Sequence, residues 1–154
     1  MQRLIYLLIF VNVLFIASAQ RTPVWEPQIS PPPLASLRGI SSVSADVAWA
    51  SGSEGTVLRT IDGGQNWIRC NTPGGLIDVQ YRDIEAFDAN TAIVMGVGTP
   101  ARFYKTGNGG QTWDLKYYSD VNGTFYDAID FWDNVNGIAF GDAINGRLTI
   151  VKVS

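Results

Sequence analysis

The sequence predicts an all-β fold: a partial β-propeller of about two and a half four-stranded blades, each of about 45 residues. Three observations carry this. A segment returns at a nearly fixed spacing; within each period, short strand-forming runs alternate with Gly/Asn/Asp/Ser turn clusters; and no window of about a dozen residues beyond the leader keeps a helical apolar rhythm.

The repeat emerges when the chain is compared with itself. Leu58-Arg59-Thr60-Ile61-Asp62-Gly63-Gly64-Gln65-Asn66-Trp67 returns 46 residues later as Tyr104-Lys105-Thr106-Gly107-Asn108-Gly109-Gly110-Gln111-Thr112-Trp113. Upstream, Ile40, Val43, Ala48 and Gly52 align with Ile84, Phe87, Ala92 and Gly96 at an offset of 44, so the difference falls in the loop holding Gly98, Thr99 and Pro100. A third block, Ile129 to Asp133 followed by Ile138 to Gly141, aligns without gaps to Ile84 to Asp88 and Ile93 to Gly96 at an offset of 45.

Along the chain, residues 1–19 read as a signal peptide. Arg3 precedes an apolar stretch of 13 residues, Leu4 to Ile16, and then the small residues Ala17-Ser18-Ala19. That stretch falls short of the roughly 20 residues that span a bilayer, so the expectation is export, periplasmic or extracellular, with no membrane span after leader cleavage. Residues 20–33 carry five prolines, at 23, 27, 31, 32 and 33, and read as an extended strap. Within that strap, Trp25-Glu26-Pro27-Gln28 lies in register with Trp67 and Trp113, which predicts an outer strand. The first blade covers 34–78, with strands expected at Leu37 to Val43, Val47 to Ser51, Thr56 to Ile61 and Asn66 to Cys70. The second covers 79–123, and an incomplete third covers 124–154, in which Arg147 to Ser154 is the third strand and Lys152 and Val153 take the places of Arg59 and Thr60. The chain therefore reads as a truncated propeller, because a closed ring needs at least about four blades.

Composition narrows the function. Hydrophobic residues make up 46% and charged residues 16%, which suits a folded domain. No histidine is present, which removes Ser-His-Asp and Cys-His catalysis and His-ligated metal. Cys70 is the single cysteine, expected to be buried, and it rules out an intrachain disulfide and cysteine-pair zinc sites. A net charge of −3 without a basic run argues against nucleic acid. No cofactor and no metal is expected, since Asp130-x-x-Asp133 lacks the ligand order of a calcium loop.

The repeated turn reads as structural. The Asp62 carboxylate is placed to accept backbone amides of the following residues, Gly63 and Gly64 permit positive φ, Thr60 adds a hydroxyl, and Trp67 covers the loop. The second copy, Thr106, Asn108, Gly109, Gly110 and Trp113, holds Asn at the acidic position, an exchange that keeps turn geometry and removes any catalytic carboxylate.

These residues resemble a known family. Thr60 to Trp67 and Thr106 to Trp113 are similar to the Asp-box, or bacterial neuraminidase repeat, with Asn66 and Asn108 as departures. Val47-Ala48-Trp49-Ala50-Ser51-Gly52, followed by Gly55-Thr56-Val57-Leu58-Arg59-Thr60, resembles the repeat of the photosystem II stability and assembly factor family, which also has exported bacterial members. The resemblance runs from about Trp25 to Ser154. It implies a propeller of seven or a similar number of blades and leaves function open, since such repeats occur in sialidases, sorting receptors and assembly factors alike.

Catalytic signals are sparse. The aromatic-Arg-Ile-Pro signature of sialidases is absent, and Arg38-Gly39-Ile40 is the nearest approach. Tyr126 with Asp127, and Tyr81 with Glu85, are the available tyrosine-acid pairs. Asp130, aligned with Glu85, and Asp142 are the candidate carboxylates for glycoside hydrolysis, with turn or solvated aspartates as the structural alternative. Trp49, Trp132, Phe87 and Phe131 offer either a sugar-stacking platform or packing between blades. Asn122-Gly123-Thr124 is a glycosylation sequon. The sequence favours a non-enzymatic scaffold for a protein or glycan ligand over a fragment of a secreted glycosidase. A blade face without a neighbour exposes an apolar patch and strand edges. Residues 20–154 alone are therefore expected to be poorly soluble or oligomeric; a reversible, concentration-independent melt from a monomer is the opposing result.

Overall fold

The computed structural model describes residues 22–29, 31 and 35–154; the leader and most of the proline run lie outside the described residues. Among the described residues eleven strands form three antiparallel sheets. The first sheet is β1 (Leu37–Ser42), β2 (Ala48–Gly52), β3 (Val57–Thr60) and β4 (Ile68–Arg69), in that order. The second is β5 (Gln80–Ala86), β6 (Ala92–Val97), β7 (Ala101–Thr106) and β8 (Asp114–Ser119). The third is β9 (Tyr126–Phe131), β10 (Gly137–Ile144) and β11 (Arg147–Val153). Among the described residues the only helical element is a single 3-10 turn at Pro73–Gly75.

In the first hairpin of each sheet, β1–β2, β5–β6 and β9–β10, the turn between the strands caps itself. Ser44 Oγ accepts the amides of Asp46 and Val47, Asp88 Oδ1 those of Asn90 and Thr91, and Asp133 Oδ1 those of Val135 and Asn136. One polar side chain thus satisfies two turn amides at the same point of all three sheets. Register then repeats: Ala48 faces Thr60, Ala92 faces Thr106, and Gly137 faces Val153, so Val153 holds the place of the two threonines.

The core lies between sheets. Trp49, Val57 and Cys70 of the first sheet pack on Tyr81, Ile84, Ala86, Ala92, Val94 and Tyr104 of the second. Ile93, Met95, Ala101 and Phe103 use the opposite face of the second sheet to meet Tyr126, Ile129 and Ala139 of the third. Strand β6 reads Ala-Ile-Val-Met without alternation because both of its faces are covered. Full burial of a side chain such as Ile84 contributes about 1.5–3 kcal/mol, so these junctions are the main source of stability.

In the Gly-Gly turn Asp62 accepts a following backbone amide, as expected, and the structure shows which one. Asp62 caps not the glycines but Asn66, four residues on: Oδ1 accepts Asn66 N at 2.9 Å and Oδ2 accepts Asn66 Nδ2 at 2.7 Å. The glycine amide goes to the threonine, Gly64 N to Thr60 Oγ1 at 2.9 Å, because the hydroxyl lies inside the loop. The second turn reproduces this with Gly110 N to Thr106 Oγ1 at 3.0 Å and Thr112 N to Asn108 Oδ1 at 2.9 Å. Its remaining bond runs in the opposite sense. Asn108 Nδ2 donates to Thr112 Oγ1, whereas Asp62 accepts from Asn66. Both glycines of each turn sit at positive φ, Gly63 at 70° and Gly64 at 85°, which a side chain would strain.

The tryptophans also reach beyond their own loops. Trp113 packs edge-to-face on Trp49 of the preceding sheet, with centroids 6.4 Å apart, and its Nε1 donates to Asn71 O at 2.8 Å. Cys70 is buried beneath the same turn, its Sγ 3.7 Å from Gly109 O, and burial pushes its thiol up to about 11. The strap corrects one expectation: residues 22–29 are not strand, and Trp25 is exposed. An outer strand needs a third strand of its own blade to pair with, and none lies beside this segment among the described residues. The strap is tethered instead through Gln28, which donates to Gly63 O and accepts from Trp67 Nε1.

Thr60 and Thr106 are buried, and their hydroxyls satisfy buried glycine amides. Thr60→Val should lower stability by about 1–3 kcal/mol, and Thr60→Ser by less than half of that, in chemical denaturation of the full chain.

Candidate functional site

The inner strands β1, β5 and β9 lie next to one another, each in its own sheet, without hydrogen-bonding as a ladder. A Cβ on Gly39 would lie 2.6 Å from Asp83 Cα, so the absence of a side chain there allows β1 to approach β5. Side chains join the strands laterally: Ser41 Oγ accepts Ala86 N at 3.1 Å, and Asp83 Oδ2 accepts Ile129 N at 3.0 Å while its Oδ1 accepts Ile84 N at 2.9 Å.

At one end of these strands the repeat places Arg38, Arg82 and Asp127 at equivalent positions. With Leu37 and Asp83 they line a cavity of about 370 Å³. Arg82 Nη2 meets Asp127 Oδ1 at 3.2 Å, and its guanidinium stacks over Phe125 at 5.3 Å from the ring centroid. The pair is partly solvated, so it contributes at most about 1 kcal/mol. Arg38 is exposed. The site therefore presents one free and one lightly held guanidinium at a concave mouth, a planar fork for carboxylates.

Acidic groups follow deeper along the same strands. Burial raises Asp83, against the two amides that it accepts. Burial also raises Glu85, with the nearby charges of Asp130 and Asp83 adding to it. The expected recurrence of an acid on the inner strand is therefore real: Glu85 and Asp130 are neighbours. Asp130 and Asp142 are not brought together. Asp130 faces Ile138, four residues before Asp142 on β10, which separates them by about 13 Å along the strand. That exceeds both spacings used in glycoside hydrolysis, about 5.5 Å and 6.5–9.5 Å. Among the described residues no cluster of three or more Cys, Asp or Glu is arranged to hold a metal.

The tyrosine-acid pairs do not assemble either. Tyr126 is buried, shares a 2.7 Å hydrogen bond with Tyr117 Oη and is pushed well above its ordinary value by burial; Asp127, its neighbour in the strand, goes to Arg82. Tyr81 donates to Pro73 O at 2.8 Å and is raised in the same way. The sugar platform is likewise dispersed: Trp49 is fully buried, Phe87 and Phe131 stack edge-to-face across a blade junction at 5.2 Å, and Trp132 alone is exposed. In the sequon, Thr124 is buried and donates to Val121 O. Sequence reading missed Arg82 and Asp83 and weighed Asp127 only as an acid beside Tyr126; the signal was present in the alignment of Arg38, Arg82 and Asp127 at repeat spacing, which an unlike final residue concealed.

No family model matches the chain. It is 29% identical over 103 residues to vacuolar protein sorting/targeting protein 10 of Neosartorya fischeri and of Aspergillus fumigatus, an alignment covering 64% of this chain and 7% of theirs. Among solved structures, YCF48 bound to D1 peptide superposes with a TM-score of 0.66 at 20% identity, covering 81% of this chain and 39% of that one. The fold is a partial β-propeller. YCF48 from Cyanidioschyzon merolae superposes with a TM-score of 0.59 at 19% identity, covering 79% of this chain and 41% of that one. The chain thus spans about two-fifths of the propellers it resembles.

Two sets of carboxyls give opposite pH dependences. Asp62 is lowered chiefly by Asn66, Asp133 chiefly by Asn136 and Asp88 chiefly by the Asn90 amide, so their stabilisation is complete above the ordinary carboxylate value, about 4, and is lost as pH falls through the lowered values. Asp83 and Glu85 are raised, so their contribution is complete below about 4 and is lost as pH rises through the raised values. Melting temperature followed from pH 3 to 7 should rise through the first window, and Asp133→Asn should flatten that rise. Glu85→Gln should reduce the decline on the neutral side and leave the part due to Asp83.

Proposed function

We propose that this chain is a non-enzymatic binding or assembly module of the β-propeller type, exported by its leader, which takes an acidic segment of a protein partner at the Arg38–Arg82 mouth of the inner strands. The observation that carries the reading is the concave cavity where Arg38 and Arg82 stand at equivalent repeat positions beside Asp83 and Asp127, Arg38 exposed and Arg82 stacked on Phe125 and paired with Asp127. A peptide fits this chemistry better than a sugar does, because guanidiniums bind carboxylates bidentately, whereas Trp49, Phe87 and Phe131 are spent on packing and leave Trp132 as an isolated ring. The YCF48 structure solved with a peptide bound supports a protein ligand for this architecture. The separation of Asp130 from Asp142 supports a scaffold over a hydrolase.

Fluorescence anisotropy with acidic and charge-reversed synthetic peptides tests this on the full chain. Acidic peptides should bind, Arg38→Ala and Arg82→Ala should each weaken them about tenfold, and binding should weaken as salt rises. Hydrolysis of fluorogenic glycosides that disappears in Asp130→Asn or Asp142→Asn would overturn the reading in favour of a glycosidase.

A further inference from the structure

The inner strands repeat an irregularity as well as a register. Pairing skips one residue of the inner strand in every sheet: Leu37 and Gly39 face Gly52 and Ser51, Tyr81 and Asp83 face Gly96 and Met95, and Tyr126 and Ala128 face Gly141 and Phe140. The residues passed over are Arg38, Arg82 and Asp127. Each is thus the extra residue of a β-bulge, a device that takes a side chain out of the ladder and re-aims it. A glycine stands opposite every bulge, and two of them show why. A Cβ on Gly52 would lie 2.4 Å from Ser36 O, and one on Gly141 would lie 1.9 Å from Phe125 O. The bulge is a constant of the repeat, and what varies is the charge of the residue it displays.

At the junction of the second and third sheets, which is internal to the chain, two bulge residues of opposite charge meet. Arg82 Nη2 donates to Asp127 Oδ1 at 3.2 Å, and both side chains stay partly exposed, at 37% and 34%. The contact uses one nitrogen and one oxygen, where a guanidinium and a carboxylate can share two. Two acids line this cavity, and they are held differently. Asp83 has its oxygens on the amides of Ile84 and Ile129 and belongs to the frame. Asp127 has only Arg82 as a hydrogen-bond partner among the described residues, so its carboxylate can swing away without uncapping any backbone group. Arg82 keeps its place when that happens, because its guanidinium lies over Phe125, whose carbonyl accepts Asp142 N at 2.8 Å. At the first junction the same two positions hold Arg38 and Arg82, like charges, and neither can serve the other in this way.

We infer that Asp127 is an internal competitor for the ligand: its carboxylate occupies Arg82 in the free protein and is displaced when an acidic segment binds, which makes Asp127 a specificity-determining residue of the mouth. The inference rests on the reading of that mouth as a receptor for acidic segments and adds the residue that sets its threshold. A partly solvated ion pair lowers the affinity for such a segment by up to about fivefold. It also favours a carboxylate, which replaces Asp127 with two acceptor oxygens, over a hydroxyl or an amide, which cannot repay the lost charge.

Two measurements on the full chain test this: anisotropy of a fluorescein-labelled tetraglutamate peptide, and phenylglyoxal modification of Arg82 followed by peptide mass spectrometry. Asp127→Asn and Asp127→Ala should each bind the peptide about fivefold more tightly than wild type, and without peptide their Arg82 should be modified about fivefold faster. Circular dichroism of both should match wild type, since Asp127 accepts no backbone amide. In the Arg82→Ala background the gain from Asp127→Asn should vanish, because the competitor then has nothing to release. A gain that persists in that background marks Asp127 as a source of plain charge repulsion and overturns the inference, as does an unchanged rate of modification at Arg82. Wild-type binding that is weakened by Arg82→Ala and untouched by both Asp127 variants overturns the inference alone. Absence of peptide binding in every variant overturns the reading of the mouth itself, and this inference with it.

Discussion

A blade of this protein has apolar side chains on both faces, and that constraint governs the rest. Ala92 and Val94 point one way from β6, Ile93 and Met95 the other, and all four are buried only because a sheet stands on either side. No single sheet can satisfy itself. The polar details serve this stacking: Ser41 and Asp83 accept amides from the next inner strand, Arg59 and Lys105 reach carbonyls of the next turn, and Asn71 and Trp113 join the outer edge of one sheet to the Gly-Gly turn of the next. Inner edge, middle and outer edge are each fastened across the junction, so sheets are fixed in angle as well as in contact.

Much of this was legible in the sequence because the repeat multiplies weak signals. One Asp-Gly-Gly turn says little, whereas two at repeat spacing, each with an upstream apolar block, define period, strand number and register. The structure follows that register down to Val153 opposite Gly137. Hydrogen-bond direction was not legible. Whether Asp62 caps a glycine amide or Asn66 depends on where the Thr60 hydroxyl sits, which spacing alone does not determine. The strap segment was misjudged for a different reason: an alignment can identify a strand, but pairing needs a partner, and the segment carries no partner of its own.

The candidate site shows the same division. Asp130 and Asp142 drew attention by their chemical type, yet their separation along β10 belongs to tertiary geometry. Arg82 was passed over, and Asp127 was read only beside Tyr126, because their pairing becomes visible when three inner strands converge. Side chains at the axis of a repeat protein are adjacent to their own equivalents, so a run of aligned positions with changing charge builds a graded surface from strand to strand. Arg38, Arg82 and Asp127 form such a gradient, from a free cation to a compensated pair.

The two Gly-Gly turns close the same loop with opposite polarity at one bond, Asp62 receiving from Asn66 and Asn108 giving to Thr112. What the loop requires is one donor and one acceptor across four residues, and it is indifferent to which end carries which. Such a motif drifts by compensated exchange, two positions changing in concert, so a search that scores each column separately undervalues it. Divergent copies would be found more readily by matching the pair.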